Sequence, residues 1–180
     1  MTTVIDASSL IILAKTNTLE IAWTIYGPIS VTDAVYDEVV AAGKRRSSVD
    51  AWQVEAAISR GWFAPTSLTL SEKSLARHLL ANYPALGKGE CEALACAETR
   101  NWLLIIEERK AKALARLRGI RYTIARTIPL EGYLAGKLSY ADALSLMQNV
   151  GVAMNTDLAV LNALNLALKA IEDERGRKGP

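Results

Sequence analysis

The sequence predicts an α/β fold in which a central parallel sheet is covered on both faces by helices. Three observations carry that expectation. Short β-branched runs alternate with helical patterns along the chain, the order that builds parallel sheets through crossover connections. The run Trp102 to Ile106 is apolar without alternation, as expected of a strand buried on both faces. Neither an internal repeat nor a low-complexity linker interrupts the 180 residues, a length that suits one globular domain with its own core.

Thr2 to Asp6 reads as a strand closed by an acid, with Ser8 and Ser9 leading into a helix over Leu10 to Lys15. Pro28 to Val31 repeats the step: a strand, Thr32 as N-cap, then a helix through Glu38 that stops at Gly43. Lys44 to Ser48 is polar loop, Val49 to Arg60 an amphipathic helix, and Trp62 to Ala64 a short strand before Pro65. Ser71 to Ala81 and the Ala-rich Gly89 to Thr99 read as helices joined by a turn over Pro84 to Lys88. After the buried strand, Arg109 to Arg118 forms a helix ending at Gly119, and Arg121 to Ala125 supplies a further strand. Helices near Leu130 to Gly136, Tyr140 to Asn149 and Asp157 to Glu174 complete a domain over residues 1–174, and 175–180 reads as a frayed tail.

Composition narrows the chemistry. The chain is 51% hydrophobic and 22% charged; its longest apolar run is too short to span a bilayer, and no basic region leads into an apolar signal core. A soluble cytoplasmic protein is expected. Cys91 and Cys96 are five residues apart on one helix and point to different parts of its circumference, so both read as reduced core residues. With His78 alone, no zinc site can be assembled, and any metal must be held by oxygen. The net charge of +2 is mild, but nine basic residues fall between Arg100 and Lys137, with only Glu107, Glu108 and Glu131 among them.

In a parallel sheet, ligands bind beyond the carboxyl ends of the strands. Asp6 closes the first strand, Glu107 and Glu108 close the buried strand, and Glu38 and Glu90 lie on helices that could lean over the same edge. Carboxylates collected there suit phosphodiester hydrolysis, because they hold hard divalent cations that activate water and neutralise charge on phosphate. No histidine or thiol nucleophile is required.

These residues resemble the PIN-domain nucleases, especially the toxin-like branch found in prokaryotic toxin–antitoxin pairs, and the likeness covers most of the chain. Val4-Ile-Asp6-Ala-Ser-Ser-Leu10-Ile is similar to that family's opening strand and first acid, and Val35-Tyr-Asp-Glu38-Val to its second acidic helix. Leu86-Gly-Lys-Gly-Glu90-Cys-Glu-Ala-Leu-Ala95 is similar to the helix of the third acid, and Leu103-Leu-Ile-Ile-Glu107-Glu108-Arg109-Lys110-Ala111 to the last acidic strand end. Where the family usually carries Asp, this chain has Glu107-Glu108. The resemblance implies a PIN-like three-layer α/β/α sandwich, Mg²⁺ or Mn²⁺, and endonucleolytic cleavage of RNA. It further implies Asp6, Glu90 and Glu107 or Glu108 as metal ligands with Glu38 assisting, a homodimer to which the helix from Asp157 contributes, and, for a toxin, an antitoxin protein as partner.

Ordinary roles stand beside these. Asp suits strand-to-turn positions, Glu38 also fits a solvated helix face, and Glu90, Glu107 and Glu108 suit the first turns of helices, where negative charge is favoured. Ser8 and Ser9 read as caps, and His78 and the tryptophans as structural. Arg109, Lys112 and Arg116 share one helix and are candidate RNA-binding residues, because a basic face beside carboxylates can hold substrate phosphates. The alternatives to an RNA nuclease are a catalytically degenerate PIN-fold module that binds RNA or protein, and a DNA nuclease acting on single strands.

Overall fold

The structure, a computed structural model, describes residues 2–178. Five strands form one sheet: β1 (Thr3–Ile5), β2 (Ile29–Thr32), β3 (Phe63–Thr66), β4 (Leu103–Ile105) and β5 (Tyr122–Thr123), in the order β3-β2-β1-β4-β5. Every pairing is parallel, and central β1 sets Thr3 against Ile29 on one side and Leu103 on the other. The chain steps outward from β1 to β3, then returns to begin β4 on the opposite flank. Such a reversal of strand order marks the place where ligands bind in open α/β sheets, here the carboxyl ends of β1 and β4.

The connections are helical. After β1 come α1 (Ala7–Lys15) and α2 (Leu19–Tyr26); after β2, α3 (Asp33–Tyr36) runs through a π-helical turn, Asp37–Ala41, into α4 (Ala42–Arg45); α5 (Val49–Ser59) leads to β3. Between β3 and β4 lie α6 (Leu70–Asn82) and α7 (Lys88–Arg100), and α8 (Arg109–Leu117) joins β4 to β5. Beyond β5, a 3₁₀ turn over Ala125–Thr127 enters α9 (Ile128–Leu134), followed by α10 (Tyr140–Ala153) and α11 (Leu158–Lys178).

Alternation along the strands creates the layers. Ile5, Ile29, Val31, Phe63 and Ile105 enter one core with Leu10, Leu13 and Val54. Val4, Leu104 and Ile106 enter the other with Leu79, Leu94 and Leu114. Successive strand residues point to opposite faces, so a three-residue strand such as β1 feeds both cores, and burying each large aliphatic chain contributes roughly 1.5–3 kcal/mol. The product is the three-layer α/β/α sandwich that the sequence predicts. A third, smaller cluster of Tyr133, Ala143, Met147 and Leu168 joins α9, α10 and α11.

Several boundaries differ from expectation. Gly43 does not end its helix, which continues to Arg45; a Cβ there would lie 2.7 Å from the Ala51 Cβ, so Gly43 admits close packing of α5 rather than a stop. Helix α2 is not among the elements that the sequence predicts. Helix α11 continues to Lys178, through the start of the segment expected to fray at Arg175, and Gly179 and Pro180 lie outside the described residues.

Away from the carboxyl ends of β1 and β4, a buried ion pair ties α6 to α7. Glu72, 1% exposed, accepts from Arg100 Nε at 2.6 Å and Nη2 at 2.8 Å, and also accepts the Thr69 N–H at 2.7 Å, at the N-cap of α6. Above all, the Arg100 hydrogen bonds hold its carboxyl down to about 2 from 4.5. Because the folded value is depressed, the stabilisation is complete above about pH 4.5 and is lost as pH falls toward about 2. Glu72→Gln is expected to cost on the order of 3 kcal/mol at pH 7, with the deficit against the wild type shrinking as pH falls through that window in urea unfolding series. A deficit independent of pH would show that the charge of Glu72 is not what stabilises this junction.

Candidate functional site

The paired ends of β1 and β4 fix the first two carboxylates. The Asp6 N–H donates to the Ile105 carbonyl at 3.1 Å, so Asp6 continues the β1–β4 ladder as the chain turns into α1. Its side chain is fully buried and caps that helix, with Oδ1 accepting the Ser9 N–H at 2.9 Å and Oδ2 the Ser8 hydroxyl at 2.8 Å. Burial pushes its carboxyl above the ordinary range; bonds from Ser9 and Ser8 oppose the rise, and the charge of Glu107 adds to it.

Glu107 and Glu108 divide their tasks. Glu108 is the N-cap of α8 and accepts the Ala111 N–H at 2.8 Å. Glu107 is buried; its Oε1 accepts from Arg126 Nε at 2.8 Å and from Arg126 Nη2, with Lys112 Nζ at 3.7 Å. Its Oε2 is buried with no hydrogen-bond partner, and such an orphaned carboxylate oxygen calls for a cation or donor.

Glu90 stands in the first turn of α7, where Oε2 accepts the Gly87 N–H at 2.6 Å. Burial raises its carboxyl, the Gly87 bond opposes this, and the charges of Asp6, Glu108 and Glu38 raise it further. Glu38 is exposed on the π-helical turn, which keeps Val39 and Val40 both in the core; such turns recur at functional sites. A Cβ on Gly89 would meet Glu38 Oε2 at 3.3 Å and Val35 Cγ2 at 3.2 Å, so a larger residue would press on both side chains where α7 approaches.

The structure therefore brings Asp6, Glu38, Glu90, Glu107 and Glu108 to one sheet edge. Among the described residues, however, no three His, Cys, Asp or Glu side chains converge as a ready cation cage. The donor set remains all oxygen, suited to a hard divalent cation, and the unpartnered Glu107 Oε2 fits such a group. Cys91 and Cys96 are buried and unpaired, as the sequence indicated, and burial pushes both thiols up to about 11. Neither can act as a neutral-pH nucleophile.

The basic candidates separate. Lys112 turns to Glu107, and Arg109 is exposed in the first turn of α8. Arg116, two turns farther, bonds the hydroxyl of Tyr122 at 2.8 Å, where β5 begins. Arg126 belongs to the site, although the sequence marked it only as part of a basic stretch; its position just past the strand beside β4 was the available signal. Its turn is held by Glu131, whose Oε1 accepts from Thr123 and Thr127 hydroxyls at 2.7 Å each and whose Oε2 accepts from Tyr26. Burial, then the Glu131 carboxylate, pushes the Tyr26 phenol far up.

A family model described as a PIN domain matches residues 2–164, most of the chain. The protein belongs to the PIN-domain family. No curated protein sequence matches it. PIN domains are generally nucleases that bind nucleic acid and typically use divalent metals, which agrees with the carboxylates at the ends of β1 and β4 in this member of the family. No helix among the described residues is long and apolar enough to cross a membrane.

Proposed function

We propose that this PIN domain is a divalent-metal-dependent endoribonuclease of the cytoplasm, using Mg²⁺ or Mn²⁺, with Asp6, Glu90 and Glu107 as the cation's ligands and Glu38 beside them. The observation that carries this reading is the buried, unpartnered Oε2 of Glu107 at a strand end shared with Asp6. A cation bound there supplies water activation and neutralises charge on the phosphodiester. Ser8 and Ser9 hold the Asp6 carboxylate in one orientation, the Gly87 N–H does the same for Glu90, and Glu108 starts the basic helix. Lys112 and Arg126 balance Glu107 and put positive charge where the phosphate would lie.

Within this reading the toxin-like resemblance favours a toxin opposed by an antitoxin protein. The apolar side chains exposed on α10 and α11, Val152, Leu158 and Leu166, favour a homodimer interface. The second reading is a PIN-fold binder that does not cut. Its support is the engagement of Glu107 by Arg126 and the absence of a closed carboxylate cage among the described residues. Purified protein is expected to cleave single-stranded RNA with Mg²⁺ or Mn²⁺ and to stop when EDTA is added. Binding without cleavage under both metals would favour the second reading; faster cleavage of single-stranded DNA would redirect the substrate.

A further inference from the structure

A second basic surface lies outside the carboxylate site. Lys73, Arg77 and Lys88 line an open cleft of about 320 Å³ between α6, α7 and the start of α3, with buried Cys91 among its lining. Its two acids are engaged: Glu92 accepts the Ala34 N–H at 2.9 Å and lies 3.9 Å from Lys88, and Asp33 accepts the Ser67 hydroxyl at 3.4 Å. Lys73 and Arg77 are exposed, and their side chains have no hydrogen bond or ion pair among the described residues. They stand four residues apart on one helix, where like charges repel weakly, and a bound anion lessens that repulsion.

The topology relates this cleft to the carboxylates at the strand ends. Lys88 is two residues before Glu90 on α7, and Asp33 follows β2 directly. β2 and β4 flank β1 on opposite sides, so the cleft lies beside the end of β2 whereas Arg109 and Lys112 start from the end of β4. Positive charge thus stands on both sides of Asp6. We propose that the cleft binds a backbone phosphate of single-stranded nucleic acid, so that a substrate strand crosses the carboxylates anchored at α8 on one side and at Lys73, Arg77 and Lys88 on the other. Lysines act as point charges and arginine as a fork for phosphate oxygens. The inference rests on the nuclease reading for its ligand, though not for its anion chemistry.

The test uses the full chain carrying Lys73→Ala with Arg77→Ala, two exposed positions whose truncation leaves both cores intact. Binding of a labelled single-stranded RNA is followed by fluorescence anisotropy in EDTA, where no cleavage occurs, over a salt series. The double variant is expected to bind more weakly, with the slope of log affinity against log salt shallower by about 0.7, for the one phosphate that is no longer neutralised. In parallel, inorganic pyrophosphate should raise the melting temperature of the wild type and not that of the variant. An unchanged slope, or an unchanged pyrophosphate response, overturns the proposal. Wild-type protein that ignores RNA yet responds to pyrophosphate through Lys73 and Arg77 retains the phosphate site and removes the nucleic-acid reading instead.

Discussion

Asp6→Asn is expected to lower metal-dependent RNA cleavage by more than about 100-fold, since even residues that only orient a metal's ligands are worth about 10–100-fold and Asp6 is read as a direct ligand. The fold should survive. Asn retains an oxygen for the Ser9 N–H, and the Ser8 hydroxyl can accept where it now donates. Stability should hold or rise in metal-free protein, by the sign of the titration. The folded Asp6 carboxyl lies above its ordinary value through burial, so its ionised form opposes folding increasingly as pH rises from the unfolded value through the folded one. A neutral amide removes that opposition. Cleavage rates and thermal melts on one preparation decide the matter: full activity in a folded variant would remove Asp6 from the ligand set.

Glu107→Gln should reduce cleavage as severely, while Glu108→Gln should reduce it only modestly. Glu108 spends its carboxylate on the Ala111 N–H at the start of α8, a bond that a Gln oxygen can still accept. Glu107 instead presents one oxygen to Arg126 and Lys112 and leaves the other buried without a partner. Its Gln variant loses the charge that balances both cations and the oxygen available to a metal. Glu107→Asp should retain cleavage, because Asp is the residue this family usually carries at that strand end. Equal losses in the two Gln variants would mean that Glu108 leaves its cap to share the site.

Some of this was legible one segment at a time. The β-branched run before Asp6 and the unbroken apolar run before Glu107 are local patterns, and they suffice for a parallel sheet with acids at strand ends, because pleat and helix periods depend on neighbouring residues. The capping role of Glu108 was equally local, following from its place before a helix. The same local reading misjudged Gly43, since whether a glycine ends a helix or admits a neighbour depends on what packs against it, here Ala51.

What the tertiary structure decided involves partners distant in sequence. Asp6 and Glu107 share an edge only because β4 returns to pair with β1. Arg126 reaches Glu107 across 19 residues because β5 lies beside β4, and Glu38 meets α7 because Gly89 lets two helices close together. Arg116 separates from Lys112 because Tyr122 holds it where β5 begins. Composition and periodicity specify the elements and their buried faces, whereas the partner of each charged side chain is set by strand order and helix approach. Those are long-range packing outcomes, and residue spacing along the chain does not encode them.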